Sequence, residues 1–498
     1  MKLNSKSLQS YIFISLITLW PIVHFISINI SENIISVRVI YFGLFFCLLF
    51  LFLYHIKSIF LKEEVALSLV LSLVIAFFLF GSIEKLVFTF RGTIEYSAKI
   101  AIFIQFLLFL TLNYFFSKLL RKNNKFKLLT TLLVVLWVFP LLKIIHNFPQ
   151  TQEFKFSKPM TINGNFVLKS NVYYIILDEY AREDVLMDYL LIDNTEFIKK
   201  LKNMDFEYFP NSLSNYDTTP LSISTTLNMD YYTYNTNYDV DIIQNKSRIL
   251  QILKEQGYKN IFVESGGNSQ ITCNGLEDYC IKSGTISDDI ALLLQMTPLW
   301  RIMRSDKFYR YFEGIYLLTD LKKSTDRILQ MIKKDNSSFF VFSHILSPHN
   351  PQRYNKDCSK FFSINPGLGE ATKEQYSIDL PCLNADVISS VKSIIKQDKS
   401  DPIIFLTSDH GIARSMVDNN DEILRLKNLI LIKSPKQCSK FYTKNLTPVN
   451  FMNFAVSCLQ NKNLPFKKNR HFVTVKGENT KLVEVTDLVK ETELLNDR

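Results

Sequence analysis

The sequence predicts an α/β protein in two parts: a transmembrane module of about five helices, then an extracytoplasmic domain built on a mostly parallel sheet with helices on both faces. Three observations carry this reading. The first 147 of the 498 residues are strongly apolar and the remainder is mixed; beyond residue 169 short β-rich runs alternate with segments of helical period; and several of those runs end on acids, hydroxyls or histidines.

The apolar stretches at 11–31, 36–54, 65–90, 98–117 and 127–147 each approach the roughly 20 residues that cross a hydrocarbon core. The first is not a cleaved signal peptide. It contains Trp20-Pro21, lacks a small-residue cleavage site and is followed at once by further spans. Lys2, Lys6, Lys57, Lys62, Lys118, Arg121, Lys122, Lys125 and Lys127 gather at the amino terminus and on the second and fourth loops, whereas the other loops carry Arg38, Lys85, Arg91 and Lys99. Positive charge stays in the cytoplasm, so the amino terminus is expected there and everything after about residue 150 outside, anchored in the cytoplasmic (inner) membrane.

Residues 148–168 read as a linker and 169–498 as one catalytic domain. Strands are expected at Val172–Leu177, Asn260–Glu264, Phe339–Ser343, Ile403–Thr407 and Leu429–Ile432, with helices at Leu321–Lys334 and Ala385–Gln397 between them. Six of the seven cysteines, Cys273, Cys280, Cys358, Cys382, Cys438 and Cys458, lie in this exported part. An even set in an oxidising compartment predicts disulfides, with Cys273–Cys280 and Cys358–Cys382 each closing a short polar loop. With no Cys-x2-Cys pair, a zinc finger is excluded on spacing, and no nucleic-acid partner is expected.

Chemistry is expected where strands end, since loops beyond the carboxyl ends of parallel strands form the ligand crevice. Ile403–Thr407 runs into Ser408-Asp409-His410-Gly411, a carboxylate and an imidazole side by side. Val172–Leu177 stops on Asp178-Glu179. The hydroxyl-rich stretch around Thr218-Thr219-Pro220 enters a helix, where a positive dipole end and free amides suit an anion and a nucleophilic hydroxyl would sit beside its target. Phe339–Ser343 leads into His344 and His349, able to bind an anionic oxygen or protonate a leaving group.

This order of motifs resembles the alkaline phosphatase and sulfatase superfamily. Behind five spans it is most similar to the phosphoethanolamine transferase and lipoteichoic acid synthase branches. The resemblance implies a divalent metal, Zn2+ or Mn2+, held by Asp178 or Glu179, by Asp409 and by His410, with Thr219 as ligand and nucleophile. Glu179-Tyr180-Ala181-Arg182 resembles the transferases' Glu-Thr-Ala-Arg, whereas Asp178-Glu179 resembles the sulfatases' Asp-Asp, so both acids stay open. Thr218 is the alternative nucleophile, because Thr218-Thr219-Pro220 also matches the sulfatase Cys/Ser-x-Pro motif.

Thr218, Arg182 and Arg414 are expected to touch substrate, and His344 and His349 to assist the leaving group. After Ser-Asp-His-Gly the transferases usually continue with Glu and a later His; here Ile412-Ala413-Arg414 follow, and Arg414 is expected to replace the missing ligand. The implied reaction moves a phospholipid head group, phosphoethanolamine or phosphoglycerol, from a membrane lipid donor to a surface glycan or lipid acceptor through a phospho-threonine. The alternatives are a phosphate or sulfate ester hydrolase of the same superfamily, and an inactive membrane-anchored glycan-binding relative.

Overall fold

The computed structural model describes residues 5–29, 37–91, 94–121, 123–147, 164–232, 243, 247–265, 271, 273, 275–282, 288–303, 319–350, 352–359, 372–416, 422–443, 445–475 and 478–489. The chain divides into two compact units, Met1–Thr151 with Ile286–Ile315, and Gln152–Thr285 with Tyr316–Arg498.

In the first unit the expected spans are five helices: α1 (Ser5–Asn29), α2 (Val37–Phe60), α3 (Glu63–Arg91), α4 (Ile94–Leu120) and α5 (Asn123–Asn147). All five are long and apolar enough to cross a membrane. Phe46, Phe50, Leu67, Val70, Leu71, Val74 and Phe78 form the interior, and Phe103, Phe106, Phe115, Val135 and Phe139 point outward, where lipid replaces water as the apolar neighbour. Polar side chains join the helices from within. Ser68 donates to Asn113 Oδ1 at 2.6 Å, and the Trp137 indole donates to the Leu16 carbonyl at 3.2 Å. Residues 286–315, which the sequence reading assigned to the exported domain, group with these helices, and within them lie α10 (Asp288–Gln295) and α11 (Leu299–Met303).

The second unit is built on a seven-stranded sheet in the order β2-β7-β6-β1-β5-β3-β4. Its strands are β1 (Val172–Leu177), β2 (Glu207–Tyr208), β3 (Tyr258–Val263), β4 (Tyr279–Ile281), β5 (Ser338–Ile345), β6 (Ile403–Thr407) and β7 (Ile430–Lys433). β1 pairs in parallel with both β5 and β6, and β3 in parallel with β5 and β4; β7 runs antiparallel to β6 and to β2. The near-continuous apolar runs follow from burial on both faces. One face of β1 buries Tyr173, Ile175 and Leu177 under α12 (Leu321–Lys334) and α13 (Lys373–Gln397); the other buries Val172, Tyr174 and Ile176 under α9 (Arg248–Glu255) and α14 (Phe451–Gln460).

Shorter helices α6 (Glu183–Leu190), α7 (Thr195–Lys202) and α8 (Thr219–Asn228) follow β1, and a hairpin of β8 (Phe472–Val475) and β9 (Glu478–Glu484) closes the unit. Both expected disulfides are present, together with Cys438–Cys458. Most of the expected linker lies outside the described residues. Its end is already part of the second unit, with Phe166 buried and the Val167 and Leu168 amides donating to the Leu459 carbonyl.

Candidate metal centre and active site

The sheet brings together the carboxyl ends of β1 and β6, its adjacent central strands, and fixes them by hydrogen bonds between their turns. Ser408 Oγ donates to the His410 carbonyl and accepts the Tyr180 amide at 2.9 Å, and the Glu179 amide donates to Asp409 Oδ1 at 3.3 Å. Gly411 closes the turn. Its amide donates to the Arg425 carbonyl at 2.6 Å, and a Cβ there would run into the carbonyls of Leu424 and Lys427. α8 is tied to the same turn, because Ser222 Oγ donates to the Asp409 carbonyl at 2.7 Å.

As a result, carboxylate oxygens of Asp178 and Asp409 and a ring nitrogen of His410 lie within 4.8 Å of one another, all three residues buried. Thr219, the first residue of α8, places Oγ1 at 3.3 Å from His410 Nε2. His410 Nδ1 donates to the Gly411 carbonyl at 2.9 Å, because a carbonyl only accepts, and this fixes the ring with Nε2 toward the cluster. Asp178 Oδ1 and Asp409 Oδ2 are buried without a hydrogen-bond partner. Buried carboxylate oxygens normally find donors, so two without any beside the His410 imidazole suit a divalent cation of mixed nitrogen and oxygen preference.

The electrostatics agree. Burial, then Asp409 and Glu179, push the Asp178 carboxyl well above the usual carboxylate range. Burial also opposes charge on Asp409, yet His410 and His344 hold it down to about 2. Burial and the neighbouring carboxylates thus oppose charge on Asp178, a cost that a bound cation would offset. Glu179, at φ 62°, sets one carboxylate oxygen 3.8 Å from Arg425 and keeps the other buried without a hydrogen-bond partner, and its carbonyl accepts the Tyr376 hydroxyl. Of the two acids left open by sequence, Asp178 joins the cluster and Glu179 stands behind it.

The two histidines separate. His344 is fully buried, with Nδ1 2.7 Å from Ser265 Oγ and Nε2 3.5 Å from Asp178 Oδ2, and burial pushes its imidazole down to about 4. His349 is half-buried; its amide donates to the Asp178 carbonyl at 3.2 Å, and its Nδ1 is taken up by the Asn350 carbonyl, leaving Nε2 for a proton.

The arginines are occupied. Arg182 is buried and forks onto Asp184 at 2.7 and 2.8 Å, and Arg414 binds Asp217 at 2.8 Å and Glu422. Both therefore brace loops around the cluster. Arg425, at the end of the 3-10 turn Glu422–Arg425, and Ser265, in the loop after β3, lie beside Glu179 and His344 and carry no sequence motif. Glu264, Cys273 and Cys280 also lie close together, but the disulfide consumes both thiols.

The Arg182 fork makes a prediction. Asp184 is partly buried, which raises its pKa, but Arg182 and Lys427 outweigh this and bring it to about 2. A depressed carboxyl stabilises the fold above its unfolded value near 4, and this is lost as pH falls through about 2. After allowance for solvent screening of its exposed side, Asp184→Asn is expected to cost about 1 kcal/mol at pH 7 and almost nothing near pH 2. Thermal unfolding in detergent across that range measures the difference.

The family model for Sulfatase matches residues 170–460, more than half of the chain. The chain belongs to the sulfatase family. The matched span of this sulfatase-family enzyme contains every member of the cluster and all seven strands of its main sheet. No curated protein matches it. Similar solved structures include the C-terminal periplasmic domain of EcEptC from Escherichia coli in complex with Zn, 13% identical over 64% of this chain and 93% of that one, with a TM-score of 0.44. Another is the lipoteichoic acid synthase LtaP from Listeria monocytogenes, 10% identical over 64% and 81%, with a TM-score of 0.42. A third is the integral membrane lipooligosaccharide phosphoethanolamine transferase A (EptA) from Neisseria meningitidis, 11% identical over 90% and 95%, with a TM-score of 0.39.

Proposed function

We propose that this sulfatase-family chain is a metal-dependent phosphotransferase at the outer face of the cytoplasmic membrane, taking a phospholipid head group onto Thr219 and passing it to a surface glycan or lipid. The observation that carries it is the Thr219 hydroxyl, set at the start of α8 beside His410 Nε2 and the two bare carboxylates. Sulfate-ester cleavage in this family uses an aldehyde made from Cys or Ser, which a threonine does not yield, and no cysteine lies near Thr219.

Asp178, Asp409, His410 and Thr219 would hold the ion, Zn2+ or Mn2+. Such an ion, when bound, supplies positive charge that lowers the pKa of a neighbouring hydroxyl and offsets charge on phosphoryl oxygens. Thr219 releases its hydroxyl proton to solvent and attacks phosphorus through Oγ as the alkoxide. The P–O bond to diacylglycerol breaks, protonated His349 gives its Nε2 proton to the departing oxygen, and Thr219 leaves again as the alkoxide in the second step. An acceptor hydroxyl then loses its proton to His349 and attacks phosphorus, restoring Thr219. His344, fully buried with Nε2 3.5 Å from Asp178 Oδ2, steadies that carboxylate. Five spans hold the site near the bilayer, where lipid head groups are concentrated.

The full-length protein in vesicles with head-group-labelled phosphatidylethanolamine or phosphatidylglycerol is expected to release diacylglycerol and to carry label on the peptide containing Thr219. Failure to release diacylglycerol from either lipid, with turnover of a sulfate ester, would sink the proposal. Label passing only to water, even with glycan and lipid acceptors supplied, identifies a hydrolase.

A further inference from the structure

The segment that leads into Thr219 runs alongside β8. His471 Nδ1 donates to the Ser214 carbonyl at 2.8 Å, the Phe472 amide donates to the Asn215 carbonyl at 2.9 Å, and the Tyr216 and Phe472 rings stack at 5.1 Å. The hairpin of β8 and β9 lies beyond residue 460, outside the span matched to the family, yet it packs on the approach to the nucleophile.

Asp217 is the centre of this contact. Its side chain is fully buried, and its carboxylate accepts the Thr474 amide on Oδ1 at 3.1 Å and both the Thr474 hydroxyl and Arg414 Nη2 on Oδ2 at 2.8 Å. Arg414 also donates to the Thr474 carbonyl and hydroxyl, so the three residues close on one another. The Asp217 carbonyl accepts Arg425 Nη2 at 2.7 Å, and Arg425 Nη1 donates to the carbonyl of Ile412, just after Asp409-His410-Gly411. Thr218 makes no side-chain capping bond. The entry to α8 is therefore held upstream, at Asp217, rather than by its own cap.

We propose that Asp217 is a positioning residue for phosphoryl transfer: clamped by Thr474 and Arg414, it sets the start of α8 so that Thr219 Oγ1 meets phosphorus in line. The C-terminal hairpin thereby belongs to the catalytic apparatus. The proposal rests on Thr219 as the nucleophile. Misplacing an attacking atom by about 1 Å costs on the order of 100-fold in rate. Loosening the clamp slows the chemical step and spares the ion, which Asp178, Asp409 and His410 still hold.

The full-length protein in detergent, in saturating excess over bis(p-nitrophenyl) phosphate, gives a single-turnover rate constant that a misfolded fraction does not alter. Asp217→Asn keeps the shape and removes the charge. It is expected to lower that constant by about 30-fold or more, with bound metal and the half-saturating enzyme concentration within about twofold of the parent. Thr474→Val is expected to lower it about fivefold, and Thr474→Ser, which restores the hydroxyl, to stay within about twofold of the parent. If Asp217→Asn does not fold, the Thr474 pair decides. An unchanged rate constant with a raised half-saturating concentration marks a merely structural role and overturns the proposal, as do equal losses in Thr474→Val and Thr474→Ser. No turnover by the parent, or full turnover by Thr219→Ala, ends the nucleophile reading and the proposal with it. Unchanged constants in Asp217→Asn and Thr474→Val, with Thr219→Ala inactive, end the positioning role alone.

Discussion

Thr219→Ala is expected to lower phosphodiester turnover by roughly 10^4-fold or more and to abolish labelling of the protein by its substrate, because no other hydroxyl occupies the same position. Thr219→Ser keeps the oxygen and should retain measurable turnover. Thr218→Ala is the discriminating control. Thr218 is the residue before α8, in extended backbone and without a side-chain capping bond, so its removal should leave activity within a few-fold. Loss of turnover in Thr218→Ala with retention in Thr219→Ala would exchange the two roles. Diacylglycerol release and mass spectrometry of the phosphorylated peptide read both outcomes.

The second large effect concerns the ion. Asp178→Asn and Asp409→Asn are each expected to reduce bound metal to below about a tenth of that in the unaltered protein, measured by elemental analysis, with activity lost in parallel. Stability should move the other way when metal is withheld. Asp178 is buried beside Asp409 and Glu179, and a carboxyl whose folded pKa is raised costs stability as pH climbs above its unfolded value. Metal-free Asp178→Asn should therefore melt higher than the metal-free parent, by more at pH 8 than at pH 5. Metal affinity in the parent should rise over the same interval, since metal binding competes with protonation of the raised Asp178 carboxyl. A metal-free parent at least as stable as the variant at pH 8 would contradict the strained-carboxylate account.

The parts of the site that were legible in sequence are those where backbone and chemistry coincide. Ser408-Asp409-His410-Gly411 and Asp178-Glu179 announce themselves because an apolar strand stops abruptly on polar residues, and Thr219 because hydroxyls and a proline begin a helix. That Asp178 is the acid within 4.8 Å of Asp409 and His410, while Glu179 adopts φ 62° with one oxygen toward Arg425, needed the turn itself. Strand order was likewise beyond period counting, and so was the antiparallel run of β7, because burial on both faces erases alternation. Arg182 and Arg414 carry the right charge for a phosphate, but acidic neighbours claim them, which their spacing does not reveal. That residues 288–303 group with the membrane helices was not legible, because an amphipathic segment reads the same whether it packs on a sheet domain or on such helices.

The position of β1 has a bearing on biosynthesis. It lies between β5 and β6, and β6 begins only at Ile403. A nascent chain that has exposed β1 through β5 still has a bare edge along β1, a strand buried at every residue, and it lacks both Asp409 and His410. The ion-binding cluster is therefore completed only after four-fifths of the polypeptide has been made, and premature release leaves an unpaired apolar edge prone to aggregate.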